Sequence, residues 1–123
     1  MSVQLAHNAK IRIIPHQKSK VRWINWIDRE LAVRFVEEGA AVIKNPRTIV
    51  KLHTRGELKR LVLERDRYTC RYCGRFGNTI DHVVPRSKGG RSTPGNLVCA
   101  CRKCNEAKAD MDLTEFLARR AAQ

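Results

Sequence analysis

Residues 70–108 read CRYCGRFGNTIDHVVPRSKGGRSTPGNLVCACRKCNEAK, and this stretch decides what kind of small fold the chain can form. Two Cys-x-x-Cys pairs, Cys70/Cys73 and Cys101/Cys104, close its ends. A two-residue gap lets one backbone turn present two sulfurs. Four thiolates from two such turns fill the tetrahedron that Zn²⁺ prefers, at metal–sulfur distances of about 2.3 Å. The 27 residues between the pairs exceed what a compact zinc ribbon needs. The surplus holds Asp81-His82, a Pro- and Gly-rich loop and Asn96, and Asn105 follows the last cysteine. An acid, an imidazole and an amide gathered inside a sulfur cage are the parts of a second metal site. Four unrelated buried cysteines, or two disulfides, would not call for this double spacing. Cys99 finds no vacancy in a filled tetrahedron and reads as a small core residue.

Working outward, the 123 residues amount to one domain, or a small domain with an N-terminal attachment. Such a chain buries a modest core, which a structural metal would reinforce. The formal charge of +13 selects a polyanionic partner. Residues 1–60 carry 13 Lys and Arg against 5 Asp and Glu, and residues 61–123 carry 12 against 7. The excess is therefore not a detachable tail, and nucleic acid is the natural ligand. No 18-residue apolar run and no leader pattern are found, so the expectation is a cytoplasmic protein, of a bacterial or phage-infected cell, with no membrane partner. In a reducing compartment paired thiols hold metal more often than they form disulfides. Few aromatics argue mildly against a single-strand binder built on stacking platforms.

The flanks read as a short mixed α/β region over residues 1–53 and a second domain over 54–123. Residues 1–9 carry no signal and are expected to be loosely attached. Lys10–Ile14 suits a strand. Val21–Ile27, with Trp23 and Trp26 among core-type residues, suits a hydrophobic cluster more than a base-stacking surface. Asp28 can cap a helix that carries Ile27, Leu31 and Phe35 on one stripe and stops at Gly39. Ala40–Ile43 and Thr48–Leu52 suit two strands. Thr54 and Glu57 form a capping-box pattern ahead of a helix to about Asp66, with Leu58, Leu61 and Val62 at helical spacing. Strands are expected at Thr79–Val84 and Leu97–Ala100, with a loop between. Helices follow over Cys101–Ala109 and after Asp112, with Glu115 three residues beyond that cap. His7, His16 and His53 have no chemical company and read as surface residues.

Four blocks recur in order: R-D-x-Y-x-C-x-Y-C-G from Arg65, I-D-H-V-x-P-R-S-x-G-G from Ile80, N-L-V from Asn96, and C-x-x-C-N-x-x-K from Cys101. Together they resemble the HNH endonuclease family, in its zinc-bearing phage and bacterial branch, over about residues 58–110. The resemblance implies an α+β fold, a small ββα-metal finger, with one structural Zn²⁺ held by Cys70, Cys73, Cys101 and Cys104. It implies that His82 is the general base drawing a proton from the attacking water, a task suited to an imidazole. Asp81 and Asn105 would hold one catalytic Mg²⁺ or Mn²⁺, and Asn96 would brace the loop. The family's last letter is often His. With Asn105 in its place, an amide oxygen favours Mg²⁺ or Mn²⁺ over zinc.

The resemblance further implies cleavage of double-stranded DNA to 5′-phosphate and 3′-hydroxyl ends, by a monomer or homodimer. Arg71, Arg75, Arg86, Lys88, Arg91 and Lys108 lie where cations would track the DNA backbone. Arg102 and Lys103 lie beside the second knuckle. Lys108 is the foremost of these, one turn beyond Asn105. A zinc-containing nucleic-acid-binding module without catalysis is the alternative. The Asp81-His82, Asn96 and Asn105 set favours the enzyme, because a binder has no need of it.

Overall fold

The computed structural model describes residues 4–20 and 22–122. The chain forms two compact units, Met1–Leu58 and Lys59–Gln123. In the first unit, β1 (Ile11–Ile14), β2 (Asn25–Ile27), β3 (Ala41–Asn45) and β4 (Thr48–Lys51) build a sheet of order β2-β1-β4-β3, with α1 (Arg29–Glu37) between β2 and β3. β1 and β4 run parallel and the other pairs antiparallel. Because side chains alternate along a strand, Ile11 and Ile13 of β1 and Ile49 of β4 share one buried layer with Ala41 and Ala32. Each fully buried Ile stabilises this unit by roughly 1.5–3 kcal/mol. Gly39 ends α1 at φ +79°, a backbone conformation costly for residues with a Cβ.

Several expectations for this unit are corrected. The opening residues are docked in part: Leu5 is 4% exposed within the core, and the Ala6 N–H donates to the Pro46 carbonyl. Asp28 is the residue before α1, but its carboxylate makes no capping bond and instead pairs with the Lys10 ammonium at 2.5 Å. The stretch before α1 contains a strand, β2, recruited by antiparallel pairing with β1. Trp23 packs against the core, but Trp26 is 61% exposed on edge strand β2. Val21 lies outside the described residues. His53 is half-buried, with its Nδ1 enclosed and without a hydrogen-bond partner.

Helix α2 (Arg55–Arg65) begins in the first unit, where Thr54 Oγ1 accepts from the Glu57 N–H at 3.2 Å. Further along it buries Val62 and Leu63, whereas Leu61 is exposed. An apolar face more than 100° wide takes in adjacent positions, which a three-and-four spacing count misses. The rest of the second unit is an antiparallel hairpin of β5 (Thr79–His82) and β6 (Leu97–Ala100), then α3 (Arg102–Lys108) and α4 (Leu113–Ala121). All four residues of β6 are buried, so this short strand is the spine of the unit. The Asp112 carboxylate caps α4, accepting from the Glu115 N–H at 2.8 Å. The result is a mixed α+β fold with strand, loop, strand and helix in the order of a ββα-metal finger. Among the described residues no helix is long and apolar enough to cross a membrane.

Candidate metal centre and catalytic face

The two cysteine pairs reach one point because β6 feeds directly into the second knuckle while the first is stitched onto it. The Arg71 N–H donates to the Cys99 carbonyl at 2.9 Å, and the Cys70 N–H donates to the Arg75 carbonyl at 2.7 Å. Gly74 turns the first knuckle at φ +77°. The Sγ atoms of Cys70, Cys73, Cys101 and Cys104 all lie within 4.8 Å of one another, and those of Cys73 and Cys101 are 3.7 Å apart. A tetrahedron with 2.3 Å bonds has edges of about 3.8 Å, so the four thiols are positioned to bind a metal ion.

Their acidities diverge. Burial opposes ionisation of Cys70, but the N–H groups of Cys101, Cys73 and Tyr72 outweigh it and bring the thiol down to about 7. Burial, followed by the neighbouring thiols of Cys101, Cys73 and Cys70, pushes Cys104 up to about 12. Such thiols part with their protons together only when a cation joins them. Cys99 stands apart, fully buried, its thiol donating to the Gly77 carbonyl at 3.3 Å.

Asp81 and His82 are consecutive on β5 and therefore project from opposite faces. Asp81 is buried. Its Oδ2 accepts from the Tyr72 hydroxyl at 2.6 Å and lies 3.1 Å from the Lys108 ammonium. Burial, and then donation to Asp81, raise the Tyr72 phenol far above its ordinary value, so it stays a donor. Asn105 and Lys108 are three apart on α3 and share its inner face. The Asn105 Nδ2 donates to Thr79 Oγ1 at 3.0 Å and to the Ile80 carbonyl at 3.1 Å, which orients the amide and leaves Oδ1 as its acceptor. His82 is half-buried, with Nε2 2.9 Å from Ser92 Oγ. Burial lowers its pKa, Arg86 and Lys108 add to this, and Asp81 opposes it.

Asn96 ties the intervening loop together. Its Oδ1 accepts from the Val84 N–H at 2.9 Å, and its Nδ2 donates to the carbonyls of Val84 (3.1 Å) and Arg91 (3.0 Å). The loop's close passage past Val84 has a steric condition at Gly90, where a Cβ would sit 1.7 Å from the Val84 carbonyl oxygen and 2.9 Å from Asn96 Nδ2. Gly90→Ala should therefore force the loop away from β5. The expected loss is about 1–3 kcal/mol of stability, read from denaturant melts. An unchanged midpoint would show that the loop relaxes freely.

The predicted cations do not behave alike. Arg71, Arg75, Arg86 and Arg91 are exposed. Lys88 is exposed but 3.5 Å from Glu115. Lys108 is a correction: it is 0% exposed, its Nζ donating to the His82 carbonyl at 2.9 Å and pairing with Asp81. A buried ammonium is held by the carboxylate it neutralises, so Lys108 does not reach a DNA backbone. Helical spacing placed it correctly beside Asn105 but could not show that this face is turned inward.

Sequence reasoning also gave no role to Tyr72 and the Arg65-Asp66 pair, which it met only as letters of the first block, or to Ser92. Tyr72 stands inside the first Cys-x-x-Cys, where spacing assigns chemistry only to the sulfurs. Asp66 accepts from the buried Cys99 N–H at 2.8 Å while Arg65 holds its carboxylate and donates to the carbonyls of Pro94 and Leu97. Asp66→Ala strands that N–H and should cost about 1–3 kcal/mol. Hydrogen bonding from Arg65 depresses the Asp66 pKa against the opposing effect of burial. A carboxyl lowered in the folded state stabilises above its unfolded value and loses that contribution as pH falls through the folded one. Asp66→Asn, which keeps an acceptor, should flatten this acid limb in denaturant titrations. A limb identical to the wild type would assign it to other groups.

Residues 70–110 match the family described as HNH endonuclease. A stretch of 71 residues is 37% identical to the CRISPR-associated endonuclease Cas9 of Corynebacterium diphtheriae, covering 49% of this chain and 6% of that protein. The chain therefore spans only a small part of that relative's length.

Proposed function

From the match of residues 70–110 to the HNH endonuclease family we propose that this protein hydrolyses phosphodiester bonds of double-stranded DNA with one divalent ion, leaving 5′-phosphate and 3′-hydroxyl ends. The observation that carries the reading is the β5 end itself. His82 lies on one side, and Asp81, with Asn105 packed behind the strand, on the other. His82 is the general base: when Nε2–H donates to Ser92, the Nδ1 lone pair is left to take the proton of the attacking water. Asp81 and Asn105 supply hard oxygens that would hold Mg²⁺ or Mn²⁺, with water and phosphate oxygens completing the shell. When bound, such an ion neutralises the scissile phosphate and the leaving 3′ oxygen. Tyr72 keeps the Asp81 carboxylate oriented, and Asn96 keeps the loop and its Ser92 beside His82. Cys70, Cys73, Cys101 and Cys104 would hold one structural Zn²⁺, tying the two knuckles together.

The second reading, a zinc module that binds nucleic acid without cutting it, draws on the Lys108 ammonium resting on Asp81, where a divalent ion would have to compete. A supercoiled-plasmid assay separates the two. Nicks or linear product in Mg²⁺ or Mn²⁺, none in brief EDTA and none from His82→Ala support the nuclease. Binding without any cleavage in either ion supports the module.

Binding itself should be dominated by phosphate contacts. With a formal charge of +13, about 4–7 phosphates would be neutralised, giving a log-affinity slope of about −4 to −6 against log salt. Anisotropy titrations on unrelated duplexes, in Ca²⁺ to block cutting, should give parallel lines. A shallow slope, or a large preference for one duplex that persists at high salt, would reveal a sequence reader.

A further inference from the structure

Behind the metal cage lies a cleft of about 720 Å³. Cys73, Cys101 and Cys104 of the cage form one part of its lining, Ala107, Met111 and Phe116 an apolar part, and Arg75, Lys103, Arg119 and Arg120 a basic part. Among the described residues no carboxylate lines it. Of the acids next to lining residues in sequence, Glu106 pairs with Arg102 at 3.1 Å, Glu115 with Lys88 at 3.5 Å and Asp112 caps α4, while Asp110 is exposed. Arg120 is held in place, donating to the Tyr72 carbonyl at 2.7 Å and lying over the Phe116 ring at 5.5 Å. At 100° per residue, Lys103 and Ala107 project from the side of α3 opposite Asn105 and Lys108. The cleft is therefore separate from the Asp81 and His82 face.

One more feature narrows the ligand. Phe76, at the cleft wall, is 69% exposed, and its ring lies parallel to that of Tyr68, at 8° and 6.2 Å between centroids. The knuckle pins both residues, because the Thr69–Phe76 bridge and the Gly77 N–H bond to the Tyr68 carbonyl fix the backbone. A rigid exposed ring beside unneutralised cations is the pairing that takes an unpaired base on the ring and its phosphates on the cations. A duplex offers no free base face to such a ring, and an acidic peptide would have no use for it. We propose that this cleft is a second nucleic-acid site that binds a single-stranded DNA segment, with Phe76 as stacking platform and Lys103 and Arg119 on the phosphates. The proposal rests on the reading above only for the class of ligand. It also qualifies the inference from composition, since one exposed aromatic, Phe76, lines this cleft.

The test is anisotropy with a short labelled oligo-dT and a mixed-sequence duplex, using zinc-loaded full chain in Ca²⁺. Phe76→Ala should weaken oligo-dT binding by about fivefold or more, and Lys103→Glu with Arg119→Glu by about tenfold or more. Phe76→Ala should leave duplex affinity within about twofold, and circular dichroism checks that each variant stays folded. Phe76→Tyr, which keeps a stacking face, should restore oligo-dT binding. Unchanged oligo-dT affinity overturns the proposal. So does an equal loss for duplex in Phe76→Ala, or tighter binding of a poly-glutamate peptide abolished by the same variants. The nuclease reading is judged separately by plasmid nicking: a protein that never nicks yet shows the Phe76 effect retains the cleft and loses the enzyme.

Discussion

Cys104→Ser protein is expected to lose the fold around β5, β6 and α3 and to purify without zinc. Cys104 is buried, its sulfur sits with three others inside a 4.8 Å envelope, and its N–H donates to Cys101 Sγ at 3.3 Å. Structural zinc contributes on the order of 10–16 kcal/mol in small domains, comparable with or greater than the whole stability of a domain this size. Elemental analysis should find one zinc per wild-type chain. Amide exchange at Val98 and Ala100 should turn from slow to fast in the variant, and a strong chelator should do the same to the wild type. Cys99→Ser is the control. Its thiol lies in the core, donating to the Gly77 carbonyl, and a serine hydroxyl can make the same bond, so the loss should be about 1 kcal/mol. Wild-type exchange in a Cys104→Ser protein that carries no zinc would remove the metal from the account of stability.

His82→Ala is expected to reduce DNA cleavage by about 10²–10⁴-fold, the usual contribution of a positioned general base. Duplex affinity should change by less than about twofold, because the imidazole acts on the transition state and not on the ground-state complex. The fold should survive, since His82 is only half-buried and its side-chain hydrogen bond to exposed Ser92 is at the surface. The strand contacts at this position run through its backbone, from Lys108 Nζ to the carbonyl. Single-turnover cleavage in Mg²⁺, set beside anisotropy in Ca²⁺, separates the two effects. Cleavage at the wild-type rate would falsify the assignment of His82 as base. A loss confined to affinity would make it a DNA contact.

The cage and the finger were legible because their information is local. Cysteines three apart can occupy only one turn, and a β-branched run closed by Pro85 has little choice but a strand. Thr54 and Asp112 show their caps within four residues. What stayed hidden depends on partners distant in the chain. Nothing near residues 25–27 demands a strand until β1 offers an edge, and nothing near Asp28 reveals that Lys10 will take its carboxylate. Leu61 and Leu63 are the same residue type two positions apart, yet one is exposed and the other buried.

The sequence alone therefore determined the four-sulfur metal centre, the strand–loop–strand–helix order and the chemical inventory of Asp81, His82, Asn96 and Asn105, since spacing and residue type carry these. The tertiary structure decided what each group faces. It turned Lys108 from a surface cation into the buried partner of Asp81, brought Tyr72 from between two cysteines onto the same carboxylate, and gathered Phe76, Lys103 and Arg119 around one cleft. Burial and charge pairing are properties of elements packed together, and a helix can offer either of its faces until its neighbours are in place.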